Sequence, residues 1–217
     1  MQFSNFFATG GIVAYPLLIF SLIALGLTIE RLIFWTRVVR RQKQIMRGVL
    51  SLYASEPNGA IAKLKNTAYL PMSRIFLEAI MLDRPKPDEF RLALESAAQA
   101  EIPILKRFNT MFETIINVAP LLGLLGTIIG LIKTFAALDL GAEGGIDIPL
   151  VTSGISEALV STVMGLVVAI FTLLFASLFR SFYRRQMALI QEYSGQLELT
   201  YRRQYYQQQP QEEYATV

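Results

Sequence analysis

The chain contains neither cysteine nor histidine. Disulfides, thiolate zinc sites, histidine metal sites and histidine-dependent triads are therefore excluded, and any proton relay has to use carboxylates, hydroxyls and water. Lysine and arginine are missing from residues 1–30 and again from residues 139–150, where Asp139, Glu143 and Asp147 stand instead. Charge is scarce overall: 17% of the 217 residues are charged and 53% are hydrophobic, which fits neither an ordinary soluble domain nor a disordered chain. The first apolar stretch, 11–34, lacks a basic lead and a small-residue cleavage site. It reads as a retained span and not as a signal peptide.

What is present is organised around two long apolar segments, 119–138 and 149–179, each long enough to cross a hydrocarbon core that takes about 20 helical residues. Neither is a plain anchor. Gly123, Gly126 and Gly130 in one, and Gly154, Ala158 and Gly165 in the other, fall at spacings of three and four, a pattern that lets helix backbones approach closely. A three-helix monomer is not expected to bury both stripes and still leave a polar path, so the stripes predict a homo-oligomer. Thr127, Lys133, Glu157, Ser161 and Thr162 interrupt the apolar runs. A carboxylate at membrane depth costs a few kcal/mol on insertion scales and normally faces a protein interior or a water path. Glu157 is thus the principal functional candidate. Ser161, four residues on, shares its face. Thr127 and Thr162 fall at similar depth on antiparallel spans, although a threonine in a membrane helix commonly bonds its own i−4 carbonyl. Lys133, near the outer end of its span, either snorkels outward or pairs with Glu157, and snorkelling is the favoured expectation.

The basic residues give orientation. Residues 31–107 hold fourteen lysines and arginines and the segment from Arg180 onward holds five. By the positive-inside rule these regions are cytoplasmic, and the N-terminus and the 139–150 loop are outside. The expected layout is an all-α membrane protein with three transmembrane helices, 11–34, 108–138 and 149–179. Around them lie an outer lead (1–10), a cytoplasmic helical domain (35–107), an outer loop (139–148), a cytoplasmic helix (180–203) and a disordered tail (204–217). Trp35 and Arg31 mark the exit of the first span, as belt and snorkelling residues do. Thr36 opens a basic helix whose arginines suit solvent or anionic lipid headgroups. Short helices are expected at 59–66 and 71–82. From Asp88, placed as an N-cap, one long helix is expected to reach Leu138, bent but not ended by Pro103 and Pro120. The glycines at 123–130 with Lys133-Thr134 do not make a phosphate loop, which needs Gly directly before Lys-Ser/Thr after a strand. No cofactor and no nucleic-acid partner is expected.

The stretches APLLGLLGTIIGLIKTF and GISEALVSTVMGLVVAI resemble the core of the ExbB/TolQ/MotA family of ion-driven motor subunits, with ExbB nearest in length and layout. Phe171 stands where that family often has a proline. The resemblance implies a non-enzymatic subunit of the bacterial inner membrane, with the outer side facing the periplasm. It implies a pentameric ring whose second and third spans line the centre. It also implies an ExbD/TolR-like single-span partner that carries a membrane aspartate, and a TonB-like protein that receives the force. The family uses the threonines matching Thr127 and Thr162 at its ion path, which joins them to Glu157 and Ser161 as ion-path candidates. TolQ-like envelope maintenance and MotA-like motility are the alternatives within the family, and a non-conducting scaffold or a self-contained channel outside it.

Overall fold

The computed structural model describes residues 10–144 and 147–208, and among these residues it contains helices and no strand. Six helices follow in order: α1 (Ala14–Ser55), α2 (Pro57–Asn66), α3 (Pro71–Ile80), α4 (Pro87–Leu105), α5 (Asn109–Gly144) and α6 (Ile148–Gln208). Three stretches are long and apolar enough to cross a membrane, one in each of α1, α5 and α6. The chain divides into two compact units, the first from Met1–Leu32 with Phe108–Phe179, the second from Ile33–Arg107 with Arg180–Val217.

In the first unit, α1 buries one face. Val13, Ala14, Leu17, Ala24, Thr28 and Arg31 are buried at spacings of three, four and seven, and Leu18, Ile19, Leu22, Leu25 and Ile29 between them are exposed. That is the period of an amphipathic helix, inverted for lipid: large apolar side chains point outward. Val13, Ala14 and Leu17 pack with Ala119 of α5 and with Met164 and Ala169 of α6. Arg31 departs from the snorkelling expectation. It is 2% exposed, bonded to Glu30 at 2.7 Å, with its guanidinium 5.3 Å from the centre of the Phe108 ring. A cation under an aromatic face gains attraction that grows as water is removed.

The single helix expected from Asp88 to Leu138 is interrupted. α4 ends at Leu105, two residues past Pro103, and α5 starts at Asn109. Phe108 between them takes φ +69°, a left-handed conformation. A proline inside a helix removes one i→i−4 hydrogen bond and crowds the preceding turn; here the helix ends within a turn of it, whereas Pro120 stays inside α5. Asp88 is not the N-cap either. Pro87 occupies the first turn and the Glu89 carboxylate accepts the Lys86 backbone N–H at 2.8 Å, half of a capping box.

Two boundaries also move. Residues 139–144 continue α5 where a loop was expected. The Asp147 carboxylate accepts the Leu150 N–H at 3.1 Å and so caps α6. Residues 204–208 continue α6 where a disordered tail was expected; the rest of that tail, most of the lead and residues 145–146 lie outside the described residues.

The second unit has its own core, with Trp35, Met46, Leu64, Leu70, Met72, Phe76, Phe90, Ile190 and Leu197 each under 2% exposed. Trp35, expected at a lipid boundary, packs instead against Phe34 and Phe182, ring centres 5.4 and 5.8 Å away. Several polar groups are paired inside it. Gln186 Nε2 donates to Gln42 Oε1 at 2.8 Å. Arg74 forks onto Glu101 at 2.6 and 2.5 Å and donates to the Ala68 carbonyl at 2.9 Å. Donating to the Glu101 carboxylate raises the pKa of the Arg74 guanidinium above its ordinary value. Tyr201 stacks on Phe90 at 4.1 Å and its hydroxyl donates to the Pro85 carbonyl at 2.5 Å.

Candidate functional site

The two small-residue stripes face each other within one chain. A methyl group on Gly130 would lie 2.5 Å from the Gly154 carbonyl and 2.8 Å from the Ala158 nitrogen; one on Gly165 would lie 2.5 Å from the Ala119 carbonyl and 3.1 Å from Gly123 Cα. Only hydrogen fits at such spacings. Gly126 lies against the Ser161 side chain and Gly154 against Thr134 Oγ1. Burial of both stripes, which the oligomer was expected to provide while leaving a polar path, is achieved within one chain: α5 and α6 bury them in each other. In lipid this close approach substitutes for the hydrophobic effect, which cannot distinguish one apolar surface from another.

Polar groups lie along that seam. Ser161 is fully buried; its hydroxyl donates to the Ala158 carbonyl at 2.9 Å and reaches the Gly123 carbonyl at 3.3 Å. Thr162, half-buried at the seam's edge, donates to the same Gly123 carbonyl at 3.2 Å. Gly123 therefore collects two hydroxyls, possible because a carbonyl has two lone pairs. Thr127 is turned to its own helix, donating to the Leu124 carbonyl at 2.6 Å. Among the described residues no hydrogen bond joins it to Thr162. The packing of Gly126 on Ser161 and Gly123 on Thr162 sets Thr127 about two residues, or roughly 3 Å, from the level of Thr162.

Glu157 is 9% exposed. Lys133 does not snorkel away from it: Nζ sits 2.8 Å from Oε1 and 2.7 Å from Oε2, a two-oxygen ion pair. Depth alone left both outcomes open, since the pair needs only the lysine stem to lie across one turn. Two residues at the site, one on the seam and one beside it, went unrecognised in the sequence. Thr134, 6% exposed, donates to the Gly130 carbonyl at 2.9 Å; its signal is its place four residues after Gly130. Gly11, at φ +64°, lies so close to the Glu157 carboxylate that a methyl group there would overlap it; its signal is only a glycine just before a span. Among the described residues no three Cys, His, Asp or Glu side chains gather as a metal site.

The arrangement can hold one buried carboxylate against one ammonium and offer a short run of oxygen ligands beside it. The hydroxyls already donate to carbonyls, so what they present to an ion or water is acceptor lone pairs.

These features define a multi-pass membrane protein with a polar seam between two of its spanning helices. Residues 67–192 match the family model described as the MotA/TolQ/ExbB proton channel family. The chain is 63% identical over 95% of its length to the putative biopolymer transport protein ExbB-like 3 of Synechocystis sp., covering 98% of that protein. It is 39% identical over 93% of its length to the ExbB-like 1 protein of the same organism, covering 80% of it. It is 30% identical over 76% of its length to an ExbB homolog of Methanothermobacter thermautotrophicus, covering 58% of it. The chain belongs to the MotA/TolQ/ExbB proton channel family.

Proposed function

We propose that this protein is the ExbB-like subunit of a proton-driven motor in the bacterial inner membrane, working with an ExbD-like single-span partner to deliver force to a TonB-type envelope-spanning protein. The observation that carries the reading is the buried Glu157, with Ser161 and Thr162 following it on α6, along a seam whose glycines leave no room for a side chain. A carboxylate is retained at membrane depth at a cost, and its default explanation is an ion or proton path.

The same geometry supports a role for a second subunit. Glu157 is held by Lys133, and the hydroxyls of Ser161 and Thr162 are engaged with backbone carbonyls. Held in this way, they line a path; the travelling carboxylate is assigned to another chain. The homo-oligomer, a pentamer with α5 and α6 around the partner helix, rests on family membership and on the exposed apolar faces of these helices, among them Leu121, Leu124, Ile128 and Phe135 on α5. The basic residues of α1 after Arg31 and of α6 after Phe179 support a cytoplasmic second unit beside anionic headgroups, with the N-terminus outside. One charge crossing ~150 mV releases roughly 3–4 kcal/mol, enough to drive a conformational step.

The test is co-expression with the adjacent single-span subunit, followed by ion flux in liposomes and energy-dependent uptake in cells. Glu157→Gln, Thr127→Ala and Thr162→Val are expected to abolish driven uptake while the oligomer survives in native mass spectrometry, and the chain alone to conduct little. Parental uptake in all three variants would refute the site, and full conduction by the chain alone would favour a self-contained channel.

A further inference from the structure

We propose that Lys133 is a positioning residue for Glu157 and that the turn at Gly11 closes over the pair, so that the Glu157 carboxylate is presented to the ion path as one clamped, charge-balanced group. This rests on the proposed ion path for its functional consequence, but the clamp itself stands on geometry. Lys133 is the one lysine or arginine in residues 108–179, and Glu157 is the one acid in residues 148–179. The sole cation of residues 108–179 and the sole acid of the third span meet, with both carboxylate oxygens within 2.8 Å of the ammonium. Chance pairing at a surface would leave both ends wet. Here the Glu157 side chain is 11% exposed and the lysine 50%, so the carboxylate is the buried partner and the lysine reaches in along its stem.

The third element comes from outside the two seam helices. Gly11 stands just before α1 with φ +64°, a conformation that side-chain-bearing residues seldom adopt, and its Cα side abuts the carboxylate. A side chain at residue 11 would displace Glu157 from Lys133. Val13 and Ala14, immediately after, are buried in the core with Ala119 and Met164, which anchors the turn in place. Gly11, Lys133 and Glu157 thus lie on three separate segments that converge on one carboxylate. The first of them falls outside the stretch that matches the family model, residues 67–192.

A carboxylate held this way cannot swing along α6 toward Ser161, one turn away, unless the clamp opens. The positioning role therefore predicts a loss of coupling, not a loss of fold, when Lys133 is shortened. The probe is a hydrophobic carbodiimide, which modifies a neutral carboxyl in an apolar setting and spares a carboxylate engaged by an ammonium. Purified full-length protein in detergent is treated, and Glu157 adducts are quantified by peptide mass mapping, with Glu157→Gln as the blank. Parent protein and Lys133→Arg are expected to be spared, and Lys133→Met to acquire the adduct. Labelling of the parent as readily as of Lys133→Met, or no labelling of Lys133→Met, overturns the clamp.

In the complex with its partner, Lys133→Met is expected to lower driven flux on the order of a hundredfold, as misplacement of a reacting group does, and Lys133→Arg to restore most of it. Assembly by native mass spectrometry is expected to be unchanged in both. Equal flux in parent and Lys133→Met, with the adduct present, would leave a structural clamp and overturn its positioning role. No driven flux in the parent complex would overturn the proposed function and leave the labelling result standing.

Discussion

Replacing Gly130 by alanine probes the close approach of α5 and α6. The added methyl would sit 2.5 Å from the Gly154 carbonyl oxygen, 2.8 Å from the Ala158 nitrogen and 2.9 Å from Ala158 Cβ. Ordinary contact needs about 3.5–4.0 Å, and two of the three atoms are backbone, so a rotamer change cannot make room. The helices have to separate by about 1 Å. Overpacking of this kind costs about 1–3 kcal/mol, offset by roughly 1 kcal/mol because alanine is the better helix former. Because two backbone atoms are overlapped, the cost falls at the upper end, about 2–3 kcal/mol, and the net loss is about 1–2 kcal/mol. At roughly 2–4 °C per kcal/mol for a chain of this size, the melting temperature falls by about 2–8 °C. Gly195, also in α6, has nothing within 4 Å of an added methyl. Gly195→Ala therefore shows the propensity term alone and raises the melting temperature by about 2–4 °C. Thermal unfolding of both variants in one detergent, followed by tryptophan fluorescence and by static light scattering, reads the two signs. Gly130→Ala melting at or above the parent would refute the reasoning that the seam has no room for a side chain.

In the second unit, Glu101→Gln keeps the shape of the Arg74 contact but removes its charge. With Glu101 8% and Arg74 33% exposed at the side chain, the loss is about 1–3 kcal/mol, read by urea unfolding of the detergent-solubilised protein. Arg84 is exposed and holds φ +46°; Arg84→Gly removes that strain and is expected to stabilise by about 1 kcal/mol in the same assay. Tyr201→Phe keeps the ring stacked on Phe90 but deletes the hydroxyl's bond to the Pro85 carbonyl; a loss of about 0.5–1.5 kcal/mol is expected, with no change in oligomer size.

The spanning helices were legible because lipid imposes two loud signals, length without charge and small residues at helical spacing. The stripes named the surfaces that touch but not whose surfaces they were, since Gly130 against Ala158 within one chain and across two chains follow the same pattern. Lys133 shows where depth runs out: its stem reaches either the headgroups or Glu157, and only the placed α6 backbone decides. Pro103 shows the same limit in the backbone, because bending and ending a helix begin with the same missing hydrogen bond, and Phe108 had to accept a left-handed conformation for the second. Arg31 and Trp35 carried the signature of a membrane boundary, yet each is buried by partners, Phe108 and Phe182, far away in sequence. Gly11 had no pattern around it to announce its contact with Glu157.

The central claim is that the ion-carrying group belongs to a partner helix running past α5 and α6. Cross-linking tests it most directly, and the absence of native cysteine keeps the background low. Thr127→Cys or Thr162→Cys, co-expressed with the single-span subunit carrying one cysteine beside its membrane aspartate, is expected to give a mixed disulfide on mild oxidation, and Leu25→Cys on the exposed face of α1 is expected to give none. Capture at Leu25 with none at Thr127 or Thr162 would place the partner on the other side of the protein and contradict the account.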